Sequence, residues 1–449
     1  MFDMEDFISF DINAFLASVG TSPFDAMAYI FLHGGWAFFL LAFIWMFIYG
    51  WLEYKQIKYI RSKEMVCLAI DIPKNTEKDP GQALRGVENI YAHLAGAHSS
   101  ISWTDKWMRG VIQDEISMEI VSIEGNVQFI VNTVRRFRDL VEASIYAQYP
   151  EAEIVEIEDY AKNVPAYYPD RDWDLWATEM TPAPNQNKSD MYPIKTYPVF
   201  EHSMSGELKD PMSVLLEGFS RLGLGEQAWL QFILIPIEQV AYKKKGDALI
   251  KKLKGEKVVA KQTLPEQILF APFTLFIALA NGLVGGSNEP KKPEKEMFAA
   301  KIFNLTPGER KVLEAVENKI SKIGYLVKIR FVYVGKKAVF KKPRAVNGFI
   351  GFMKQMNAND MLSLKPDLNK VGMTGSRWFF KDQRNNLHKR RLVKHYRQRS
   401  AFDGLAPYYL NTEELATYWH FPHTFQVKAP QLKKREVKSV EPPYNLPIA

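Results

Sequence analysis

The longest apolar stretch of the chain is Ala26–Leu52, AMAYIFLHGGWAFFLLAFIWMFIYGWL, which holds no Asp, Glu, Lys or Arg. At about 1.5 Å per residue it exceeds a hydrocarbon core of about 30 Å, so it predicts a membrane-crossing helix. Trp36, Trp45, Tyr49 and Trp51 suit the headgroup levels. Asp3, Glu5, Asp6, Asp11 and Asp25 precede the run with no Lys or Arg among them, whereas Lys55, Lys58, Arg61 and Lys63 follow it. The positive-inside rule then makes residues 1–25 an acidic extracytoplasmic tail and residues 26–52 a single anchor in the inner (plasma) membrane. Nearly everything after Glu53 is expected in the cytoplasm. A cleaved signal peptide fits poorly, because a basic n-region is missing and the run is too long and too far from Met1.

Beyond the anchor the period of the pattern changes repeatedly. Met65–Pro73 is a short, nearly continuous apolar run suited to a buried strand. In GQALRGVENIYAHLAG, Leu84, Val87, Tyr91 and Leu94 share one helical face. ISMEIVSI and NVQFIVNT flank Glu124-Gly125, a hairpin turn. FRDLVEASIYAQY repeats the helical spacing through Phe137, Leu140, Val141 and Ile145, and AEIVEIED closes the set as a strand. The order β-α-β-β-α-β over residues 60–160 is that of a ferredoxin-like unit.

The same order is expected again over residues 192–335. YPIKTYPVF is its first strand. Asp210-Pro211 caps a helix carrying Met212, Leu215, Leu216, Phe219 and Leu222. QAWLQFILIPI and MFAAKIFNL form its hairpin, and Thr306-Pro307-Gly308-Glu309 is a capping box for a helix through Val312, Leu313, Val316 and Ile320. YLVKIRFVYV is its last strand, with Lys328 and Arg330 opposite Val327, Ile329, Phe331 and Tyr333 as ordinary strand amphipathicity. Residues 161–191, rich in Pro, Asp, Asn and Trp, read as a linker. The fold expected is therefore α+β: a transmembrane helix, two tandem ferredoxin-like domains, a basic, partly helical region at 336–424 and a disordered tail at 425–449.

The second unit carries an insert at 238–296 with a lysine-rich start, including Lys251, Lys252 and Lys254, followed by the apolar run 268–285. Lys291, Lys292, Lys295 and Lys301 lie beyond it. A second crossing would put one lysine cluster outside, against the charge bias; a segment lying on the inner leaflet satisfies both flanks. A buried or partner-docking helix and a true second span stay open. Trp36, Trp45, Trp51, Lys55, Lys58, Lys251, Lys252 and Lys254 are the candidate membrane-interface residues.

Chemistry changes this picture little. The 449 residues suffice for two or three cores, and a formal charge of +7 favours anionic partners without choosing between lipid and nucleic acid. The single cysteine, Cys67, excludes an intramolecular disulfide and suits a buried small hydrophobe. No phosphate loop, dinucleotide fingerprint, HExxH or GxSxG pattern is present in the sequence. Glu156, Glu158 and Asp159 read as a solvated strand end rather than an acid–base pair, and His388 and His395 lack companions at metal-ligand spacing. No enzyme activity and no cofactor are expected. Arg384, Lys389, Arg390, Arg391, Lys394, Arg397 and Arg399 lie near Trp378, Phe379, Phe380 and Tyr396. That combination suits phosphate neutralisation and base stacking, or equally a solvated basic helix near an anionic leaflet or acidic protein.

A resemblance extends the reading. MEIVSIEGNVQFIVNT, RFRDLVEASIYAQYPEAEIVEIEDYAKNVP, WDLWATE, YPIKTYPVF, DPMSVLLEGFSRLGLGEQAWLQFILIP, NANDMLSLKPDLNKVG and LNTEELATYWHFP carry it. They resemble a membrane-protein family of candidate-phyla-radiation (Patescibacteria-type) bacteria whose genes sit beside type IV secretion, TraG- or HerA-like conjugative ATPases. The second half is also similar to the non-catalytic N-terminal region of such ATPases, where a segment like LNTEELATYWHFP precedes the motor. In this sequence Asn411 and Glu414 form a near capping box, Pro422 ends the helix, and Trp419, His420 and Phe421 give a bulky docking end. The resemblance implies that the phosphate-binding chemistry comes from another polypeptide. It makes the chain a non-catalytic subunit that docks a DNA-translocating ATPase at the membrane, with Asn411, Glu414, Trp419, His420 and Phe421 as the docking residues. The lipid bilayer is a further partner; DNA and a second copy of the chain stay open. The rival expectation is a membrane-attached nucleic-acid-binding protein without an ATPase.

Overall fold

A computed structural model of the chain describes residues 24–25, 29, 31–32, 36–72, 80–183, 189–200, 210–255, 305–373 and 379–422. The expected tails, most of the insert with its apolar run 268–285, and the hairpin strand MFAAKIFNL apart from its last residue lie outside those residues. The chain divides into two compact units, Met1–Glu64 with Ser99–Gln113, and Met65–His98 with Asp114–Ala449.

The first unit is built on helix α1, Trp36–Ser62. Its side chains from Leu40 to Trp51 are exposed on every side, including Phe43, Trp45, Met46 and Phe47. Among the described residues no helix is long and apolar enough to cross a membrane. The charge-free part of α1, Trp36–Leu52, is about 25 Å long at its rise, after which Glu53, Lys55 and Lys58 follow. The segment Ser99–Gln113, with a single π-turn at Asp105–Arg109, packs on the charged end of this helix.

The second unit is one sheet with helices. Its first half runs β1 (Met65–Asp71), α2 (Pro80–Leu94), β2 (Ile116–Ile123), β3 (Asn126–Val134), α3 (Arg138–Tyr146) and β4 (Glu153–Glu156). The second half runs β5 (Trp173–Pro182), α4 (Ser213–Ser220), β6 (Glu226–Pro236), α5 (Gln239–Leu253), α6 (Pro307–Ser321) and β7 (Gly324–Lys336). There follow α7 (Lys342–Gln355), β8 (Leu364–Pro366), α8 (Lys381–Gln398), β9 (Tyr408–Asn411) and α9 (Thr412–Tyr418). The strand order is β4-β1-β3-β2-β6-β7-β5-β8, with β9 on β7, and every pairing is antiparallel.

The first half has the element order that the periodicity predicts. Leu84, Val87, Tyr91 and Leu94 of α2 are buried against the sheet, as are Met212, Leu215, Leu216, Phe219 and Leu222 around α4. Asp210 accepts from the Met212 amide at 2.7 Å, and Thr306 and Glu309 form their capping box at the start of α6.

Three expectations are corrected. The two halves are not separate domains, because β2 pairs with β6 along Ile116–Ile123 and a single hydrophobic cluster spans both. The supposed linker 161–191 contains β5, whose Trp173–Glu179 stretch pairs with β7. Its Trp and Asp residues disguise a strand covered on both faces, where alternation carries no solvent signal. YPIKTYPVF, in turn, is no strand: Pro193 and Pro198 cannot donate to a ladder, and the segment is irregular with a 3₁₀ turn at Tyr197–Phe200. The amides of Ile194 and Tyr197 donate instead to the side chains of Glu414 and Thr417 on α9.

The segment Leu410–Pro422 closes both halves. Trp419 packs edge-on to Tyr91 and Phe129 in the first half, while the neighbouring Tyr418 meets Phe232 and Phe352 in the second. Removing a large, fully buried aromatic costs about 3–5 kcal/mol. Trp419→Ala is therefore expected to lower the free energy of unfolding by about that much in urea titrations; a loss below about 1 kcal/mol would show that this segment is not core.

Candidate functional site: a buried ionic row across the sheet

Four strands carry a polar residue at matching register on one face. Glu119 of β2 lies opposite Gln231 of β6, Gln231 opposite Arg330 of β7, and Arg330 opposite Glu179 of β5. None is more than 1% exposed. Charges removed from water need partners in good geometry, and this row has them. Arg330 Nε donates to Glu179 at 2.7 Å, and its Nη2 donates to the carbonyls of Ser400 and Asp403, each at 2.7 Å. Glu119 accepts from Ser117 Oγ at 2.6 Å, Gln231 Nε2 at 2.9 Å, Tyr160 OH at 2.7 Å and Arg399 Nε at 2.9 Å. Glu179 also accepts from the Leu405 amide at 2.7 Å. At Gly404, with φ of 92°, a Cβ would stand 2.5 Å from the Glu179 oxygens, so only glycine lets this turn close over the carboxylate.

The C-terminal end of α8 and the turn after it form the lid of this row. The Arg399 guanidinium bridges Glu119 and Asp159. Burial alone would push the Arg399 pKa down, but these two carboxylates outweigh it and hold the pKa well above the arginine range. Burial likewise pushes Asp159 up, and its bonds and attraction to Arg399 reverse that to a net lowering. Asp159 is thus a paired anchor rather than the solvated edge expected, and Glu156 is paired with Arg135 and Arg138. Lys328, also on this face, donates to the Asp403 carbonyl at 2.6 Å, and burial drives its pKa down to about 8. The reading of Lys328 and Arg330 as ordinary amphipathicity had their face right and its environment wrong: α8 covers it.

The seven basic candidates of this region divide. Lys389 pairs with Asp174, Arg390 donates to the Tyr168 carbonyl, Arg397 to those of Ala161 and Val164, and Arg399 to the row. Those four are engaged within the chain and are corrected as free phosphate contacts. Arg384 is half-buried, and Arg391 and Lys394 face solvent, one turn apart.

The five docking candidates are corrected more fully, since Asn411, Glu414, Trp419, His420 and Phe421 are all buried. Asn411 and Glu414 form the complete capping box of α9, each side chain accepting from the other's amide at 2.8 Å. His420 Nε2 lies 3.0 Å from Asp210. Glu414 is also 3.1 Å from the Lys319 ammonium, and both side chains are fully buried. Burial pushes Lys319 down and Glu414 up. Yet the other partners of Glu414 are donors, the amides of Ile194 and Asn411, and those of Lys319 are the carbonyls of Asp190, Tyr192 and Tyr409. That geometry holds the pair ionised.

Of the membrane-interface candidates, Trp36, Trp45, Trp51 and Lys58 are exposed on α1 and Lys55 is half-buried, its ammonium 4.7 Å over the Trp51 ring. Lys251 and Lys252 are exposed on α5, while Lys254 pairs with Glu317 at 3.2 Å. A cavity of 610 Å³ opens beside the row, lined in part by Cys67, Asn132, Arg135, Asp159 and Arg397. Burial pushes the Cys67 thiol up to about 12, so it is an inert wall. Among the described residues no group of His, Cys, Asp or Glu comes together that could hold a metal ion. What could have revealed the row is the occurrence of Glu119, Gln231 and Arg330 inside runs of mainly apolar strand residues.

The chain is thus an α+β protein of mixed helix and antiparallel sheet with an internally paired ionic core. No known family model matches it, and no curated protein matches it.

Removing one partner of a buried pair leaves an unpaired charge and costs about 3–5 kcal/mol. Glu179→Ala is expected to destabilise by that order in chemical denaturation, whereas the exposed Arg391→Ala should change stability by under about 0.5 kcal/mol. Lys328 supplies a pH test. Its folded pKa of about 8 lies below the ordinary 10.5, so between those values the unfolded chain binds more protons. Stability must therefore rise with pH across that window as the cost of burying this charge disappears. Lys328→Met should lack that rise when unfolding free energies are compared at both ends of it.

Proposed function

We propose that this chain is a membrane-attached, non-catalytic scaffold that positions a DNA-translocating ATPase of the TraG or HerA kind. The observation that carries the attachment is the Leu40–Trp51 stretch of α1, free of charged residues and exposed on every side. A helix with no polar face is stable only where something apolar surrounds it. Most of the preceding stretch 26–35 lies outside the described residues, and its sequence extends the charge-free run to a length that spans a bilayer. The charge order along the chain favours an N-terminus outside and the folded unit in the cytoplasm.

The ionic row supports a non-catalytic role. Its carboxylates and guanidiniums are saturated by one another and by backbone groups, an arrangement that fixes register and leaves no group poised to exchange a proton with a substrate. We further read the first half as ferredoxin-like, supported by its β4-β1-β3-β2 order and two helices. The ATPase partner comes from the resemblance alone. Since the Leu410–Pro422 segment is committed to the core, the contact for a motor belongs to the outer surface of the folded unit.

The test is affinity capture of the full-length chain from the native membrane, after in-cell cross-linking. Retention in the membrane through alkaline carbonate, with cross-links from a phosphate-loop ATPase to exposed residues of the folded unit, is the expected result. Release by carbonate would sink the anchor. Capture of nucleic acid with steep salt dependence, in the absence of an ATPase, would shift the reading to the rival role.

A further inference from the structure

The Ser99–Gln113 segment has no role in the sheet, yet it is held firmly against α1. Trp51 Nε1 donates to the Trp107 carbonyl at 3.3 Å. Gly110, with φ of 72°, lies so close that a Cβ there would stand 2.3 Å from the Lys55 carbonyl carbon. The π-turn between these ties is braced internally: Ser102 Oγ donates to Asp105 at 2.6 Å, and Arg109 pairs with the same carboxylate at 3.0 Å. That pairing offsets the only acidic charge between Ser102 and Gly110. What the turn turns outward is Trp103, 71% exposed, and Met108, 62% exposed, along with Lys106 and Arg109.

Single exposed apolar side chains are ordinary on protein surfaces. These differ by their place. Trp51 and Lys55 mark the point where the charge-free run of α1 gives way to charge, and Tyr54 and Ile57 are exposed there as well. Aromatic rings with lysine and arginine beside them are the composition that settles at the headgroup level of an anionic membrane.

We propose that the Ser99–Gln113 segment is a second membrane contact, which seats Trp103, Met108 and Lys106 among anionic headgroups at the level where the anchor helix leaves the hydrocarbon. The proposal rests on the membrane-anchor reading. With two ties to α1 about one helical turn apart, the loop fixes how far the helix emerges and resists its sliding along the membrane normal.

The test uses the full-length protein in phosphatidylglycerol–phosphatidylethanolamine vesicles, with an environment-sensitive fluorophore on an introduced cysteine. The buried native Cys67 does not compete for the label. Phe47→Cys reports on the anchor and Met108→Cys on the loop. The expected result is quenching of position 47 by lipids brominated in mid-chain, and of position 108 by lipids with a headgroup nitroxide. Adding Gly110→Leu, which unseats the loop, should abolish quenching at 108 and leave it at 47. Quenching at 47 with none at 108 would overturn this proposal while the anchor stands. No quenching at 47 would remove the anchor and the proposal together.

Discussion

Arg330 sits where the folded unit is held together. Its guanidinium lies at the centre of a sheet covered on both faces, so every N–H must find an acceptor or the charge could not be there. Those acceptors come from β5, from β6, from the last turn of α8 and from the chain just after it. One side chain thus ties strands to a helix some seventy residues further on. The row it belongs to also fixes register. A slip of one residue in β6 or β7 would send Gln231 or Arg330 to the opposite face, into the cluster around Phe331 and Phe349. An apolar row of similar volume would give equal or greater stability, so the polar choice acts on specificity.

The same logic explains why the chain closes where it does. β7 is longer than β5, and β9 pairs with the end of β7 that β5 leaves uncovered, at Gly324–Val327. The Lys319–Glu414 pair then fastens α9 to α6, and the Glu414 carboxylate satisfies the amide of Ile194, which has no strand partner. Residues joined in this way are separated by up to several hundred positions, as for the Tyr91 hydroxyl on the Trp419 carbonyl. A unit so dependent on distant contacts forms late and as a whole, because loop closure precedes its reward. Its two halves share a sheet and a core, and neither is complete without the last segment.

This bears on what the sequence could disclose. Periodicity locates α2, α3, α4 and α6 and the first four strands, since each has an apolar face of regular spacing. The capping residues Thr306 and Asn411 are legible because capping is local, whereas α4 begins at Ser213, beyond the start that Asp210-Pro211 predicts. β5 is not legible, since Asp174, Thr178 and Glu179 interrupt its apolar positions, and their partners, Lys389, the Asp367 carbonyl and Arg330, lie far along the chain. Nor can composition separate a solvated arginine from one whose acceptor lies 236 or 280 positions away, as for Arg397 and Arg399. The segment LNTEELATYWHFP shows the same ambiguity. A capped helix ending in Trp, His and Phe is equally suited to a partner's groove and to its own core, and only the tertiary structure distinguishes them.

The net positive charge therefore has to be read again by location. Along α8, Lys389, Arg390 and Arg397 hold the helix to the chain beneath it, while Lys381, Arg391 and Lys394 stay exposed. Along α5, by contrast, Lys243, Lys244, Lys245, Lys251 and Lys252 face outward while Tyr242, Gly246 and Ile250 face in. Gly246 lets this helix sit directly on α6, where a Cβ would stand 2.2 Å from Ile320. A lysine face held on a rigid helix pair keeps its side-chain charge available to an anionic surface at little further ordering cost. Among the described residues, α5 thus carries at least as much of the basic surface as the arginine-rich helix that the sequence draws the eye to.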